Sequence, residues 1–379
     1  MAELKMWVWF AQAVGNYHIR ANELLEFAGG DPEAVYKMTV PELKNAGIRE
    51  PELMQGLSSK DLRAAEKEIR IAEKYNIKLV SKEDEGYPSD LLDIADAPYV
   101  LYMRGTSDDA SSERLRIAVI GSRKASSYGL SVAHDLSYAL AKRGVVIVSG
   151  MATGIDGAAH RGAIEAGGKT IGVLGCGVNV VYPKDNNQLM VDIMKNGEVI
   201  SEFPFDTPPY KWNFPQRNRI ISGISHGLIV IEAEEVSGTS ITAGLALEQG
   251  RELFAVPGNI TSPTSVGTNR LIKNGAIPVT CSEDILAQFQ DFEFIDEVEE
   301  PEEIVNSPKP ETQASDEEGP MPEQIILAAI RTEALTSDEI SMKTGLPLPQ
   351  VNSIMTVMEL SGLAEALPGK KYIKTSKIK

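Results

Sequence analysis

Between Arg116 and Thr280 the chain repeats one unit: a short β-branched apolar run, a glycine-containing loop, then a stretch with helical periodicity. Seven runs read as buried strands: Arg116 to Ile120, Val145 to Val148, Thr170 to Leu174, Val199 to Glu202, Leu228 to Glu232, Leu253 to Val256 and Ile277 to Thr280. Amphipathic stretches such as Ser127 to Arg143 and Thr239 to Gly250 separate them. Strands without polar alternation must be covered on both faces, and strand–helix–strand connections join parallel neighbours. The expected fold class is α/β, a doubly wound, mostly parallel sheet with helices on both faces. Ligands of such sheets bind at the carboxyl ends of the strands, so the loops after the strands are where chemistry is sought.

The flanks have a different texture. From Met1 to about Tyr75 apolar residues recur at helical spacing, with turn signals at Gly29-Gly30-Asp31 and Gly47, which predicts a small helical domain. Its segment Leu43 to Ile48 is similar to the hairpin of non-specific DNA-binding helical modules, although the mixed charge around it favours packing or interaction. Gln290 to Pro320 is acidic, contains proline and has no aromatic residue after Phe294, so it reads as a linker. Beyond it lie three helix candidates, Pro322 to Thr332, a second capped by Thr336-Ser337-Asp338-Glu339, and Pro347 to Leu360. A hairpin over Leu363 to Lys374, turning at Pro368-Gly369, completes the pattern of a winged helix-turn-helix. The expected domains are 1–80, 81–289, the linker 290–320, and 321–379.

Lys plus Arg is 37 and Asp plus Glu is 54, a net charge of −17 that at first argues against a nucleic-acid partner. Ser282 to Pro320, however, holds fourteen acids against one base, Lys309, so the folded parts are nearly neutral. Such a segment invites the expectation that it competes with DNA for a basic pocket. The two cysteines, Cys176 and Cys281, each end an apolar run; this excludes a disulfide scaffold and places both as small buried thiols in a reducing compartment. No run is apolar enough to span a membrane, and the N-terminal stretch lacks a cleavage site, so the expectation is a cytoplasmic protein with no membrane anchor.

Several loops suit an anion. Gly121-Ser122-Arg123 follows the first strand and precedes a helix, whose unpaired amides are expected to face the crevice. Gly121 permits close approach, Ser122 offers a hydroxyl, and Arg123 can pair with phosphate through two N–H groups. A tight turn carrying a solvated arginine is the plainer alternative. The dinucleotide fingerprint is missing, because the G-x-G-x-x-G spacing is absent and the second strand ends in Ser149-Gly150 instead of a ribose-binding acid. In the second loop Asp156 and His160 stand one helical turn apart, which suits capping and packing better than a metal, since the chain has only four histidines. Lys184 precedes another helix start, and Trp212 to Arg219 mixes aromatics with bases as single-strand binders do, though Trp212 and Phe214 serve equally well as core anchors. Ser237, Gly238 and Thr239 form a further helix entrance.

These strings resemble those of the DNA-processing protein A family (DprA, also called Smf). The match runs through Gly121-Ser122-Arg123, Ser149 to Asp156, Tyr182-Pro183-Lys184-Asp185-Asn186, Phe214 to Gly223, Ser237-Gly238-Thr239-Ser240, Gly258-Asn259 and Gly267-Thr268-Asn269, preceded by Tyr87-Pro88 and Leu101 to Gly105. It covers about Gly86 to Gln288, and less sharply the flanks, which resemble the family's helical (SAM/HhH-like) domain and winged helix. The resemblance implies an extended Rossmann-like core that forms a homodimer, binds single-stranded DNA and loads the recombinase RecA onto it in natural transformation. It assigns DNA contact to Arg123 and Lys184; Gly121, Ser122, Arg217, Asn218, Arg219 and Thr239 extend that set. No cofactor, metal or catalytic residue is expected.

The rival reading is an enzyme of the lysine-decarboxylase-like group, which is similar in fold and cleaves nucleoside monophosphates with an Arg and a Glu. Its Gly-Thr-x-x-Glu string would need an acid at position 242, where this chain has Thr242, and Glu248 lies nearly two turns further along the predicted helix. A transcription regulator would rest on the winged helix alone. Its recognition helix, Leu348 to Leu360, contains no Lys or Arg, although five lysines fall in the last ten residues.

Overall fold

The computed structural model describes residues 3–106, 110, 112–235, 237–295, 326–327, 329–330, 334–360, 363–367 and 371–374. Most of the linker, 296–320, therefore lies outside the described residues, as do the start of the first winged-helix candidate, the Pro368-Gly369 turn and the terminal lysines from Lys377. The chain divides into two compact units, Met1–Glu300 and Pro301–Lys379.

In the first unit six helices, α1 (Leu4–Val14), α2 (His18–Phe27), α3 (Pro32–Lys37), α4 (Val40–Asn45), α5 (Pro51–Ser58) and α6 (Arg63–Tyr75), precede the sheet. The sheet strands are β1 (Lys78–Ser81), β2 (Val100–Gly105), β3 (Arg116–Ile120), β4 (Val146–Ser149), β5 (Thr170–Val173), β6 (Glu198–Ser201), β7 (Gly227–Val230), β8 (Glu252–Ala255) and β9 (Ile277–Pro278). Between them run α7 (Ser127–Lys142), α8 (Ile155–Glu165), α9 (Asn187–Asn196), α10 (Asn213–Gly223), α11 (Gly238–Glu248) and α12 (Val266–Lys273), with α13 (Glu283–Leu286) after β9.

The strand order is β1-β2-β6-β5-β4-β3-β7-β8-β9, parallel from β6 to β9. This is the doubly wound, Rossmann-like sheet expected, and each of the seven expected strands lies within two residues of an observed one. Two strands were not anticipated. β1 and β2 add to the β6 edge antiparallel, with Tyr102 opposite Ser201 and Ser81 opposite Val100. The strand order reverses at β3, which pairs β4 on one side and β7 on the other, so the crevice opens at the carboxyl end of β3.

Strands β3, β4 and β7 are buried at every residue, as their apolar runs require. Helices cover both faces, in one cluster around Ile120, Val148, Ile220 and Leu228 and another around Ile117, Leu140, Ile147 and Ile229. A third cluster joins α1 to the sheet edge. There Tyr99 stacks on Trp7, meets Phe10 edge-on at 4.8 Å, and donates to the Asn22 side chain at 2.6 Å. Helices and sheet thus share one hydrophobic cluster within one unit.

In the second unit, helices Ser337–Thr344 and Leu348–Leu360 pack with a three-stranded sheet of Leu335–Thr336, Lys371–Lys374 and Ala364–Leu367 in that spatial order. The expected cap is present: the Thr336 hydroxyl accepts from the Glu339 N–H, and the Glu339 carboxylate accepts from the Thr336 N–H. Ile326, Ile330, Ile340, Val351 and Met355 form its core.

Candidate functional site

The loop after β3 is held so that Arg123 projects from it. Ser122 N–H donates to the Glu232 carbonyl at 2.9 Å, and the Ser122 carbonyl accepts from Ile155 N–H at 3.3 Å. Gly121 has to be glycine, because a Cβ there would stand 2.6 Å from Ile155 Cγ1. Arg123 is exposed, and its guanidinium carbon lies 5.2 Å from the centre of the Phe214 ring, a cation–π contact that holds the fork at the crevice.

Two cavities meet at Arg123. The wider, about 460 Å³, is lined by Gly121, Ser122, Asp156, Arg217, Asn218 and Thr239 among others. The narrower, about 140 Å³, is apolar and lined by Met151, Leu174, Cys176, Tyr182 and Phe214. Phe214 also packs against Tyr182 at 5.4 Å. A charged fork between a polar cavity and an aromatic slot can grip a phosphate on one side and a flat apolar group on the other.

The floor of the wider cavity is a buried pair of opposite charges. Arg217 donates to the carbonyls of Gly150, at 2.6 Å, and Val173, and through Nε to Asn218 at 3.2 Å. Burial pushes its guanidinium down to about 10, and the Asp156 carboxylate opposes that shift. Burial raises the Asp156 carboxyl, while Arg217 and the Ala152 N–H, 3.3 Å away, lower it. A Cβ on Gly150 would sit 2.7 Å from both groups, so glycine alone lets them flank the loop. Arg217 therefore supplies positive potential from beneath, with Nη1 engaged by main-chain carbonyls and Nε by Asn218.

One expectation for this crevice is corrected. The amides at the start of α7 do not face an incoming anion, because the buried carboxylate of Glu232 already occupies that entrance. It accepts from the Ser126 N–H and hydroxyl and from the Thr264 hydroxyl at 3.0 Å. The side chain fills the space where Gly129 would carry a Cβ. The entrance of α11 is different, with Ser237, Gly238 and Thr239 lining the wider cavity.

The remaining residues separate clearly. Asn218 donates to Thr242 at 2.8 Å on the wall of the wider cavity. Lys184 is exposed, directly after Pro183 of the apolar slot, in a turn tied to the second loop by Asn186, which donates to the Met151 carbonyl at 2.8 Å. Arg219 leaves the set. Two residues along a helix turn a side chain by about 200°, so where Arg217 faces the crevice Arg219 points away, paired with Glu202 at 2.5 Å and Asp96 at 3.0 Å. His160 is buried, 2.7 Å from the Thr170 hydroxyl, and burial pushes its imidazole down to about 3, which suits packing. Cys176 is buried as expected, but Cys281 is exposed, because the strand before it ends at Pro278.

Glu232 was not picked out from the sequence, although an acid closing the apolar run Leu228 to Ile231 is a signal that could have found it. Among the described residues no group of three His, Cys, Asp or Glu side chains is placed to hold a metal ion. No helix of the described residues is long and apolar enough to cross a membrane.

Fold and site together define a Rossmann-like α/β protein with a crevice at its switch point lined by Arg123 and Arg217, followed in the chain by a small helix-and-hairpin unit. Residues 78–290 match the family model described as DNA recombination-mediator protein A, and residues 308–370 match the DprA winged helix domain. The chain belongs to the DNA recombination-mediator protein A family. It is 41% identical to Protein Smf of Escherichia coli over 298 residues, covering 78% of this chain and 77% of that one. It is 45% identical to DNA processing protein DprA of Bacillus subtilis over 202 residues, 53% of this chain and 68% of that one. The solved structure of Streptococcus pneumoniae DprA superposes with a TM-score of 0.67 at 35% identity, over 76% of this chain and 99% of that one. A Helicobacter pylori DNA processing protein A, described for its single-stranded DNA binding mode, superposes with a TM-score of 0.52 at 30% identity, over 57% of this chain and 97% of that one.

Proposed function

We propose that this protein binds single-stranded DNA in the crevice at the end of β3 and, as a homodimer, protects incoming strands and loads the recombinase RecA onto them in transformation and recombination. The observation that carries the reading is Arg123, held over the Phe214 ring at the junction of a polar cavity and an aromatic slot. Phosphate meets the guanidinium, Ser122 and the α11 entrance, and an unpaired base meets the slot. Lys184 adds a second charge beside the slot. The reading takes 1–80, 81–289, 290–320 and 321–379 as helical domain, DNA-binding core, linker and winged helix. Its chemistry uses no cofactor and no catalytic group.

The test is binding of labelled single- and double-stranded oligonucleotides at two salt concentrations to the parent, Arg123→Glu and Lys184→Glu. Preference for single strands, lost in both variants, with a slope of about −0.7 in log affinity against log salt per phosphate contact, is the expected result. Binding that survives both reversals would overturn it. Loading is read separately, as a shorter lag in RecA-dependent ATP hydrolysis on single strands, abolished by Arg123→Glu.

One observation favours a second reading, a nucleoside-monophosphate-cleaving enzyme: Asp156 is a carboxyl raised by burial that lines the same cavity as Arg123. Release of free base from a nucleoside monophosphate, lost in Asp156→Asn, would establish it.

A further inference from the structure

Beyond the crevice, the loop between β6 and α10 carries two large rings in the open. Tyr210 is 44% and Trp212 is 64% exposed. They lie parallel, with centroids 4.7 Å apart and planes at 9°, and Lys211 between them in sequence is also exposed. Single exposed aromatics are ordinary, but a stacked pair leaving a broad indole in solvent keeps apolar area wet that folding could have covered.

The loop is held as a fixed support. Asp206, at φ 61°, adopts a backbone conformation rare for a residue with a side chain. Asn179 holds it from both sides, donating to its carboxylate at 2.8 Å and accepting from its N–H at 2.9 Å. Gly177 N–H donates to the Thr207 carbonyl at 3.0 Å, and Asn213 donates to the Gly175 carbonyl at 3.0 Å. Gly175 and Phe214, on either side of this anchor, line the apolar slot below Arg123. The loop that carries the pair is therefore tied to residues that line the crevice. The carboxylate nearest in sequence, Asp206, is already engaged by Asn179.

We propose that Tyr210 and Trp212 form an external stacking platform for an unpaired nucleobase of a strand leaving the apolar slot, with Lys211 beside its phosphate. The proposal rests on the single-stranded DNA reading and extends it outward. A parallel pair of flat rings with a cation alongside suits bases of any identity, whereas a protein partner would be met by side chains of mixed shape.

The chain has three tryptophans, and Trp7 and Trp9 are buried at 0% and 3% exposure, so Trp212 alone reports from solvent. Full-length protein is titrated with oligothymidylate while red-edge tryptophan emission and the anisotropy of a labelled strand are followed. Saturable quenching that tracks the anisotropy is expected, lost in Trp212→Ala with about tenfold weaker affinity. Trp212→Phe should keep the affinity while losing the signal. Binding without quenching, or unchanged affinity in Trp212→Ala, overturns the platform and leaves the crevice reading standing. Absence of binding by anisotropy overturns both. Trp212→Ala removes an exposed ring, and an unchanged thermal midpoint confirms that the variant folds.

Discussion

Both oxygens of the Glu232 carboxylate are held by Ser126, whose N–H lies 2.9 Å from Oε2 and whose hydroxyl lies 2.6 Å from Oε1. An acid from the end of β7 thereby caps the helix that follows β3, joining the two strands on one side of the switch point. The anion site that a helix entrance would offer is filled by the protein itself. In the proposed reading a strand is left Arg123 and the α11 entrance, which line the wider cavity.

Glu232→Gln keeps the shape but offers one acceptor oxygen to three donors. Stability should fall by about 1–3 kcal/mol in urea denaturation. Affinity for single strands should hold or increase, since a negative charge leaves a buried position next to the β3 loop. A loss of DNA binding greater than the loss of folded protein would contradict the capping role.

Arg219→Gln and Arg123→Gln should behave in opposite ways. The first leaves the buried Glu202 carboxylate without its guanidinium partner and should cost about 3–5 kcal/mol of stability, with the salt slope of DNA binding unchanged. The second should leave the denaturation midpoint in place and lower the slope by about 0.7. Equal slopes in the two variants would sink the distinction.

Gly154 sits at φ 82°, and a Cβ there would collide with the Ser122 carbonyl and lie 2.8 Å from that of Arg123. Gly154→Ala should cost about 2–4 kcal/mol from strain and overpacking. The same push displaces the loop that aims Arg123, so affinity for single strands should fall even at temperatures where the variant is fully folded. Titration at such a temperature separates the two effects.

The His160 imidazole is held at about 3 by burial, against 6.5 when free. A folded value depressed below the unfolded one means that the unfolded chain takes the proton first. Its contribution is full above about pH 6.5 and is lost as pH falls toward 3, at about 1.4 kcal/mol per pH unit. Glu202, raised by burial, acts with the opposite sign, so the parent must be compared with His160→Gln. Between pH 6 and 4 the stability of the variant should fall less steeply with decreasing pH, by about that amount per unit. Parallel curves would show that His160 does not titrate on unfolding.

Period and spacing along the chain were enough for the strands β3 to β9, the helices between them, the capped helix at Thr336 and the glycine loops where ligands belong. Each of these depends on neighbours within a turn or two, such as the alternation of apolar runs with Gly121 or Gly150. β1 and β2 escaped notice because their partners are distant: Tyr102 pairs with Ser201, and nothing near Leu101 in sequence marks an antiparallel edge. The split between Arg217 and Arg219 could have been read from helical period alone, but which of them faced the crevice depended on how α10 packs. Glu232 filling the α7 entrance, Phe214 beneath Arg123 and the wet face of Trp212 were decided only in three dimensions. Local preference selects an element, whereas a side chain's partner is chosen by whichever distant group the packed sheet brings within hydrogen-bond or van der Waals reach.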